Sequence, residues 1–287
     1  MDTATQRERA QTFRDRHTDR TDGPLVLPNA WDCASALLYE AAGFEAIGTT
    51  SAGIAAAQGV PDGEHLSRGE MLAVVERIAH SVAVPVSADV EAGYGATPAE
   101  VAETVRLTVE AGAVGVNLED GTDGPAGPLV DRDRHAAKLR AAREAADELD
   151  VPVVVNGRTD VFWRAVGDEA DRVDRAIDRA NTYAEAGSDC LFVPGVTDET
   201  TVEALAAGID GPLNVLGGPG APTVAELGDR GVARVSVGSG PMRATLGFLQ
   251  TVAAELRDEG TYESMADAIP YGDLNELLAT ALDRRTG

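Results

Sequence analysis

Lysine is almost missing from this chain. Lys138 is the only one among 287 residues, and the remaining basic side chains are arginines. They are outnumbered by 48 acidic residues, which leaves a formal net charge of -24. A surface of that sign repels nucleic acid and anionic membranes, so neither is expected as a partner. Cysteine is equally sparse. Cys33 and Cys190 lie far apart, which excludes a disulfide framework and suits a reducing, cytoplasmic compartment. No uninterrupted apolar stretch is long enough to cross a membrane. The segment from Met1 to Arg20 is polar and lacks the apolar centre of a signal peptide. It reads as a short amphipathic helix or a partly ordered tail. An acid-rich, lysine-poor composition resembles that of halophilic proteins, in which concentrated cations screen self-repulsion, so stability is expected to fall at low salt.

What is present is alternation. Short apolar runs recur about eight times, at Leu25–Leu27, Ala46–Gly48, Val84–Val86, Val114–Val116, Val153–Val155, Cys190–Val193, Leu213–Leu216 and Arg234–Val237. Helical patterns separate them. Ser67 to Glu70 and Thr223 to Glu226 carry the capping-box signature, and Thr97-Pro98 is a helix start with proline at the first position. Gly43, Gly112 and Gly187 stand where helices should stop. Repeated strand–helix units without a composition break predict one (β/α)8 TIM barrel over residues 1–287, with surplus C-terminal helices over 240–287. An open doubly wound sheet is the alternative, weakened because no Gly-x-Gly-x-x-Gly fingerprint follows the first strand.

In such a barrel the chemistry sits on the loops after the strands. Those loops carry Trp31, then Ser51, Ala52 and Gly53, then Asp62, then Asp89 and Glu91, then Glu119 and Asp120, then Arg158. Carboxylates there suit a hard divalent cation, and a guanidinium suits an anionic substrate. Each has a structural reading as well. Asp62 is also a turn residue after Pro61, and Glu91 is also a solvated acid beside the Gly93-Tyr94-Gly95 turn. Arg158 is also a partner for Glu119 or Asp120. Spacing does not choose between Glu119 and Asp120, although strand alternation turns only one of them inward. Asn214, inside the seventh run, is counted with the substrate-binding residues. His17, His65, His80 and His135 show no ligand spacing and are read as surface residues.

Six segments, in order, resemble the isocitrate lyase/phosphoenolpyruvate mutase superfamily. They are Leu27 to Asp32, Gly59 to Asp62, Ser87 to Gly95, Val116 to Asp120, Asn156 to Asp160 and Gly231 to Gly238. The resemblance implies a (β/α)8 barrel whose last helix swaps between subunits, giving a homo-oligomer, a dimer or tetramer. It implies Mg2+, or Mn2+, held by Asp89 and, largely through water, by Asp62, Glu91 and Glu119. By the same analogy Trp31 and the backbone of Ser51, Ala52 and Gly53 hold a small anionic 2-oxo or 2-hydroxy acid, with Arg158 on its carboxylate or on the group being cleaved. Most members carry Asp where this chain has Glu91, so the contact there differs by one methylene.

The loop from Gly121 to Val130 corresponds to the family's mobile lid, and its glycines suit a moving segment. It has none of the Lys-x-Cys-Gly-His sequence of isocitrate and methylisocitrate lyases, and it has no Lys or Asn of the kind that steers a phosphoryl group. The expectation is therefore a Mg2+-dependent lyase that cleaves a carbon–carbon bond of a small 2-oxo or 2-hydroxy dicarboxylate through a pyruvate-like enolate. Oxaloacetate decarboxylation or hydrolysis and substituted-malate cleavage both fit. Phosphonopyruvate hydrolysis or mutase chemistry is the first alternative, and a non-catalytic metabolite-binding barrel the second. Asp123, Tyr94 and a bound water are the candidates for general acid or base.

Overall fold

Strand pairing resumes past Pro28, just beyond the first predicted strand, and that continuation closes the sheet. The structure, a computed structural model, describes residues 2–19, 21, 23–125 and 127–286. Met1 and Arg20, the ends of the predicted N-terminal segment, and Ala126 of the predicted lid lie outside the described residues. The chain runs α1 (Thr3–Thr18), β1 (Leu25–Leu27), β2 (Asn29–Ala30), α2 (Cys33–Ala41), β3 (Ile47–Thr49), α3 (Ser51–Ala57), α4 (Arg68–Ser81), β4 (Val86–Asp89), α5 (Pro98–Glu110) and β5 (Gly115–Glu119). It continues through α6 (Arg132–Asp147), β6 (Val154–Arg158), α7 (Arg172–Glu185), β7 (Cys190–Val193), α8 (Glu199–Gly208), β8 (Leu213–Leu216), α9 (Val224–Asp229), β9 (Val232–Ser236), α10 (Gly240–Asp258) and α11 (Tyr271–Thr286).

Every strand pairing is parallel, in the order β1-β9-β8-β7-β6-β5-β4-β3-β2. β1 pairs only with β9 and β2 only with β3, so the two halves flanking Pro28 act as one strand that joins the ends of the sheet. Proline offers no N–H to either neighbour, but its carbonyl accepts from Gly48 at 2.9 Å. The result is the eight-fold (β/α) barrel that the alternation predicts, not the open sheet. Four strands, β3 to β6, end later than the apolar runs suggest, whereas β7 and β8 match theirs and β9 ends one residue earlier. The third lies at Val86–Asp89 rather than Val84–Val86, and Glu119 and Arg158 are the last residues of β5 and β6. Main-chain pairing extends past the apolar stretch because the barrel mouth gives polar side chains a wet face to point toward.

The helix signals act as expected. Ser67, Thr97 and Thr223 each form a reciprocal capping box, and Gly112 and Gly187 adopt φ of 93° and 100° just past α5 and α7. The N-terminal segment is a full helix. It buries Gln6, Ala10, Phe13 and His17 against the barrel's inner end, and Gln6 donates to the carbonyls of Val109 (2.7 Å) and Ala113 (3.1 Å). His17 and His135 are therefore core residues, contrary to the surface reading. Burial pushes both imidazoles down to about 3, so both are neutral. The single lysine is also internal, with Lys138 donating to the carbonyls of Ala92 (3.3 Å) and Gly95 (2.8 Å).

Within the single chain, α11 packs on α2 and α4, and Arg284 reaches Glu40 at 2.6 Å. α10 instead leaves Leu246, Phe248 and Leu249 exposed. Among the described residues, no helix is long and apolar enough to cross a membrane.

Candidate active site

Polar side chains converge where β3 to β6 end. Asp89 closes β4, and its backbone N–H donates to Thr49 Oγ1 at 2.9 Å. Its carboxylate accepts from the Ser51 amide and from Asn117 Nδ2, each at 2.9 Å. Asn117 accepts in turn from Asn156 Nδ2 at 2.9 Å. One hydrogen-bonded row therefore crosses three adjacent strands and sets the carboxylate of Asp89 at the wall of a cavity of about 290 Å³. Ser51, Ala52, Asp62, Asp89 and Arg158 all line that cavity, as the sequence predicts.

Arg158 ends β6 and is almost enclosed. It lies 2.6 Å from Glu119 and 2.6 Å from Asp160, with its guanidinium 5.6 Å from the centre of the Phe192 ring. Desolvation works against its charge, but Glu119, Asp160 and Asp89 outweigh that and hold it protonated. Burial, aided by the neighbouring acids, raises the carboxyl of Glu119 well above its usual range against the pull of Arg158, and burial likewise raises Asp160. Asp62 stands at the rim, where partial desolvation and then the charge of Asp89 raise its carboxyl.

Acids therefore exceed cations around Arg158, and all of the donors are oxygens. That surplus fits a hard divalent cation. Among the described residues, no three acidic, histidine or cysteine side chains form a ready-made cage for an ion. The protein offers a carboxylate at Asp89, with Asp62 and Glu119 further out, and leaves room for water. Few protein ligands and several waters is the usual way of holding Mg2+.

The other predicted residues lie off the cavity. Glu91 is only 3% exposed, so it is not a solvated turn acid. It adopts φ 52°, a strained conformation for a side-chain-bearing residue. One carboxylate oxygen accepts from the amides of Gly63 and Glu64, and the other accepts from the Tyr94 hydroxyl at 2.6 Å. Glu91 thus clamps the loop that carries Asp62. Trp31 and Gly53 back the start of α3, where a Cβ on Gly53 would fall 2.9 Å from that of Trp31. Glu119 stands behind the cavity wall, paired with Arg158, which lines it. Asn214 is buried in β8 and donates to Ser236 Oγ at 3.1 Å.

The lid region folds onto itself. Gly121 bridges Leu129, and Arg164 ties the Thr122 carbonyl (3.0 Å) and Asp123 (2.7 Å). None of its described residues lines the cavity. Asp123 and Tyr94, both named as acid–base candidates, are engaged by Arg164 and Glu91. Sequence reasoning missed Asn117, Phe192, Trp163 and Arg234 as cavity residues. A polar or charged residue inside an apolar strand was the available signal for Asn117 and Arg234. Trp163 and Phe192 had none.

A family model described as phosphoenolpyruvate phosphomutase matches residues 13–257. An uncharacterized protein of Mycobacterium tuberculosis is 39% identical over 93% of this chain and 96% of its own length. Oxaloacetate decarboxylase of Rhodopseudomonas palustris is 34% identical over 70% of this chain and 68% of its own. 2-Methylisocitrate lyase of Escherichia coli is 29% identical over 86% and 85%. The solved structure of phosphonopyruvate hydrolase with oxalate and Mg2+ matches with a TM-score of 0.82 at 25% identity, over 97% of each chain.

Proposed function

The chain belongs to the phosphoenolpyruvate phosphomutase family, in the isocitrate lyase/phosphoenolpyruvate mutase superfamily of lyases and mutases. From that premise we propose that it is a Mg2+-dependent lyase cleaving a carbon–carbon bond of a small 2-oxo or 2-hydroxy dicarboxylate. Oxaloacetate decarboxylation or hydrolysis and substituted-malate cleavage are the reactions that fit. The observation that carries the reading is Arg158, a fixed guanidinium facing the cavity beside Asp89 and its surplus of acids. Oxaloacetate decarboxylase is among the relatives, and oxalate and Mg2+ are bound by one structural neighbour.

The residues have distinct tasks. Arg158 binds a substrate carboxylate, and its two acidic partners and the Phe192 ring set the guanidinium plane. At the start of α3, the Ser51 amide is spent on Asp89 and the Gly53 amide on Thr50. Ala52 lines the cavity, and its amide, one of the first-turn donors that the helix itself does not use, can donate to substrate oxygen. Asp89 would hold the metal, with Asp62 and Glu119 acting through water. The bound ion supplies positive charge opposite the oxygen on which negative charge develops. Asp62, with its raised carboxyl at the rim, is the proton acceptor in this reading. Glu91 holds Asp62 in place.

Among the described residues, the cavity lining holds no cysteine, lysine or histidine. That disfavours the thiol-assisted chemistry of isocitrate-type lyases, and the missing lysine weakens phosphoryl transfer. The assembly we propose is a homo-oligomer, a dimer or tetramer. The deciding experiment measures release of pyruvate, and of oxalate for oxaloacetate hydrolysis, in high salt with Mg2+ or with EDTA. Its substrates are oxaloacetate, methylisocitrate, dimethylmalate and phosphonopyruvate. Metal-dependent turnover of oxaloacetate or dimethylmalate is expected. Turnover of phosphonopyruvate alone would replace this reading with phosphorus–carbon chemistry.

A further inference from the structure

The inner end of the cavity holds a buried cation with no counter-charge. Arg234 lies in β9, is 3% exposed, and borders the cavity from below. Its Nε has no hydrogen-bond partner. One terminal nitrogen is 3.5 Å from Nε2 of His17, and the guanidinium lies 5.8 Å from the centre of the Phe13 ring. Among the described residues, no carboxylate comes within ion-pair distance of it. His17 is neutral, with Nδ1 2.7 Å from the Phe13 carbonyl, so Nε2 is free only to accept. The neighbouring Cys190 thiol is pushed up to about 12 by burial and is also uncharged. Asp89 is the nearest acid whose field reaches Arg234, and both of its oxygens already accept hydrogen bonds.

Ser87 shares this end of the cavity. Ser87 borders the same cavity, and its hydroxyl is buried with no hydrogen-bond partner among the described residues. It flanks Gly115 beside Phe13: a Cβ on Gly115 would come within 2.8 Å of the Phe13 ring and 2.9 Å of Ser87 Oγ. Gly48, also on the cavity wall, leaves room for the Asn29 side chain: a Cβ there would fall 2.6 Å from Asn29 Nδ2. A buried guanidinium is retained where its charge is matched and its donors are used. Here the donors are preformed and the matching charge is not supplied by the protein.

We propose that the inner end of the cavity is a small-anion subsite built on Arg234 and Ser87, with a carboxylate or a halide ion as its occupant. The guanidinium fork suits a carboxylate, and the serine hydroxyl donates to either anion. This subsite is separate from Arg158 and needs neither the metal nor turnover, so it stands apart from the lyase assignment.

Two measurements test it. Crystals of the intact protein grown with sodium bromide should show anomalous bromine scattering within hydrogen-bond reach of Arg234 and Ser87. Calorimetry with malonate in chloride-free buffer should show binding that Arg234→Met weakens at least tenfold and Arg234→Lys partly restores. If chloride competes with malonate, the occupant is a ligand's carboxylate. If bromide binds and malonate affinity ignores chloride, the occupant is free halide. Water at that position in the bromide crystals, with malonate bound equally by wild type and Arg234→Met, would overturn the proposal. So would bromide that persists there in Arg234→Met crystals.

Discussion

Glu119 and Asp120 follow one another at the end of β5, and the pleat sends them to opposite sides. Glu119 meets Arg158 on the cavity side. Asp120 is fully buried on the helix side, where it accepts from Thr159 Oγ1, the Asp160 amide, Arg179 and the Tyr183 hydroxyl, all between 2.7 and 2.8 Å. The two acids that spacing left equivalent are thus separated by what lies across from each. Asp120→Ala removes a fully buried carboxylate that four donors share and leaves the partly buried Arg179 without its acid, so about 3–5 kcal/mol of stability should be lost in urea unfolding. Oxalate affinity of the folded fraction should hold. Arg158→Ala should weaken oxalate binding at least tenfold by calorimetry. Equal affinity would remove Arg158 from the site.

The buried histidines set a pH dependence. His17 and His135 have folded values near 3, below the unfolded value of 6.5. The unfolded chain therefore binds more protons between these limits. Their contribution is complete above pH 6.5 and is lost as pH falls toward 3. Each should cost about 2 kcal/mol of stability between pH 7 and pH 5. His135→Phe should flatten that slope, and an unchanged slope would mean that the imidazole is not buried neutral.

At the level of elements, the alternation of apolar runs and capping signals carried most of the fold. Ser67, Thr97 and Thr223 start helices because a side-chain oxygen and an acid three residues on satisfy amides locally, with no distant partner needed. α1 was harder to read. Its buried face is only Gln6, Ala10, Phe13 and His17, and two of those four are polar, so the helix looks like a tail until the barrel end is there to receive it. Phe13 carries that contact. Phe13→Ala should cost about 3–5 kcal/mol by urea unfolding. A loss below about 1 kcal/mol would return α1 to the status of an appendage. In the lid, the Gly121–Leu129 bridge and the Arg164 contact to the Thr122 carbonyl join residues distant in sequence, and no local signal announces them.

For the whole molecule, charge is the dominant fact. A net -24 with the one lysine buried leaves a surface of acids and arginines. Ion pairs such as Arg132–Asp178 at 2.8 Å offset only part of the repulsion. Raising KCl from about 0.1 M to about 1 M shortens the screening length from about 10 Å to about 3 Å. The thermal midpoint should therefore rise with salt, and a midpoint that falls would show that repulsion is not limiting. In the proposed homo-oligomer, the apolar side chains left open on α10 would be covered by a second copy of the chain. Light scattering should report a dimer or tetramer.

The amino-acid sequence by itself determined the barrel, several helix starts and stops, and five residues that line the cavity, Ser51, Ala52, Asp62, Asp89 and Arg158, because periodicity, caps and strand-end acids are local properties. Tertiary structure alone decided which way each polar side chain acts. Glu91 became a loop clamp because Gly63, Glu64 and Tyr94 come to it. Asp120 became a buried strut because Arg179 and Tyr183 stand behind it. Arg234 became an unmatched cation because the barrel interior brings it neutral neighbours. Partners distant in sequence set those roles, and the protonation and burial that follow depend on where the closed barrel brings them.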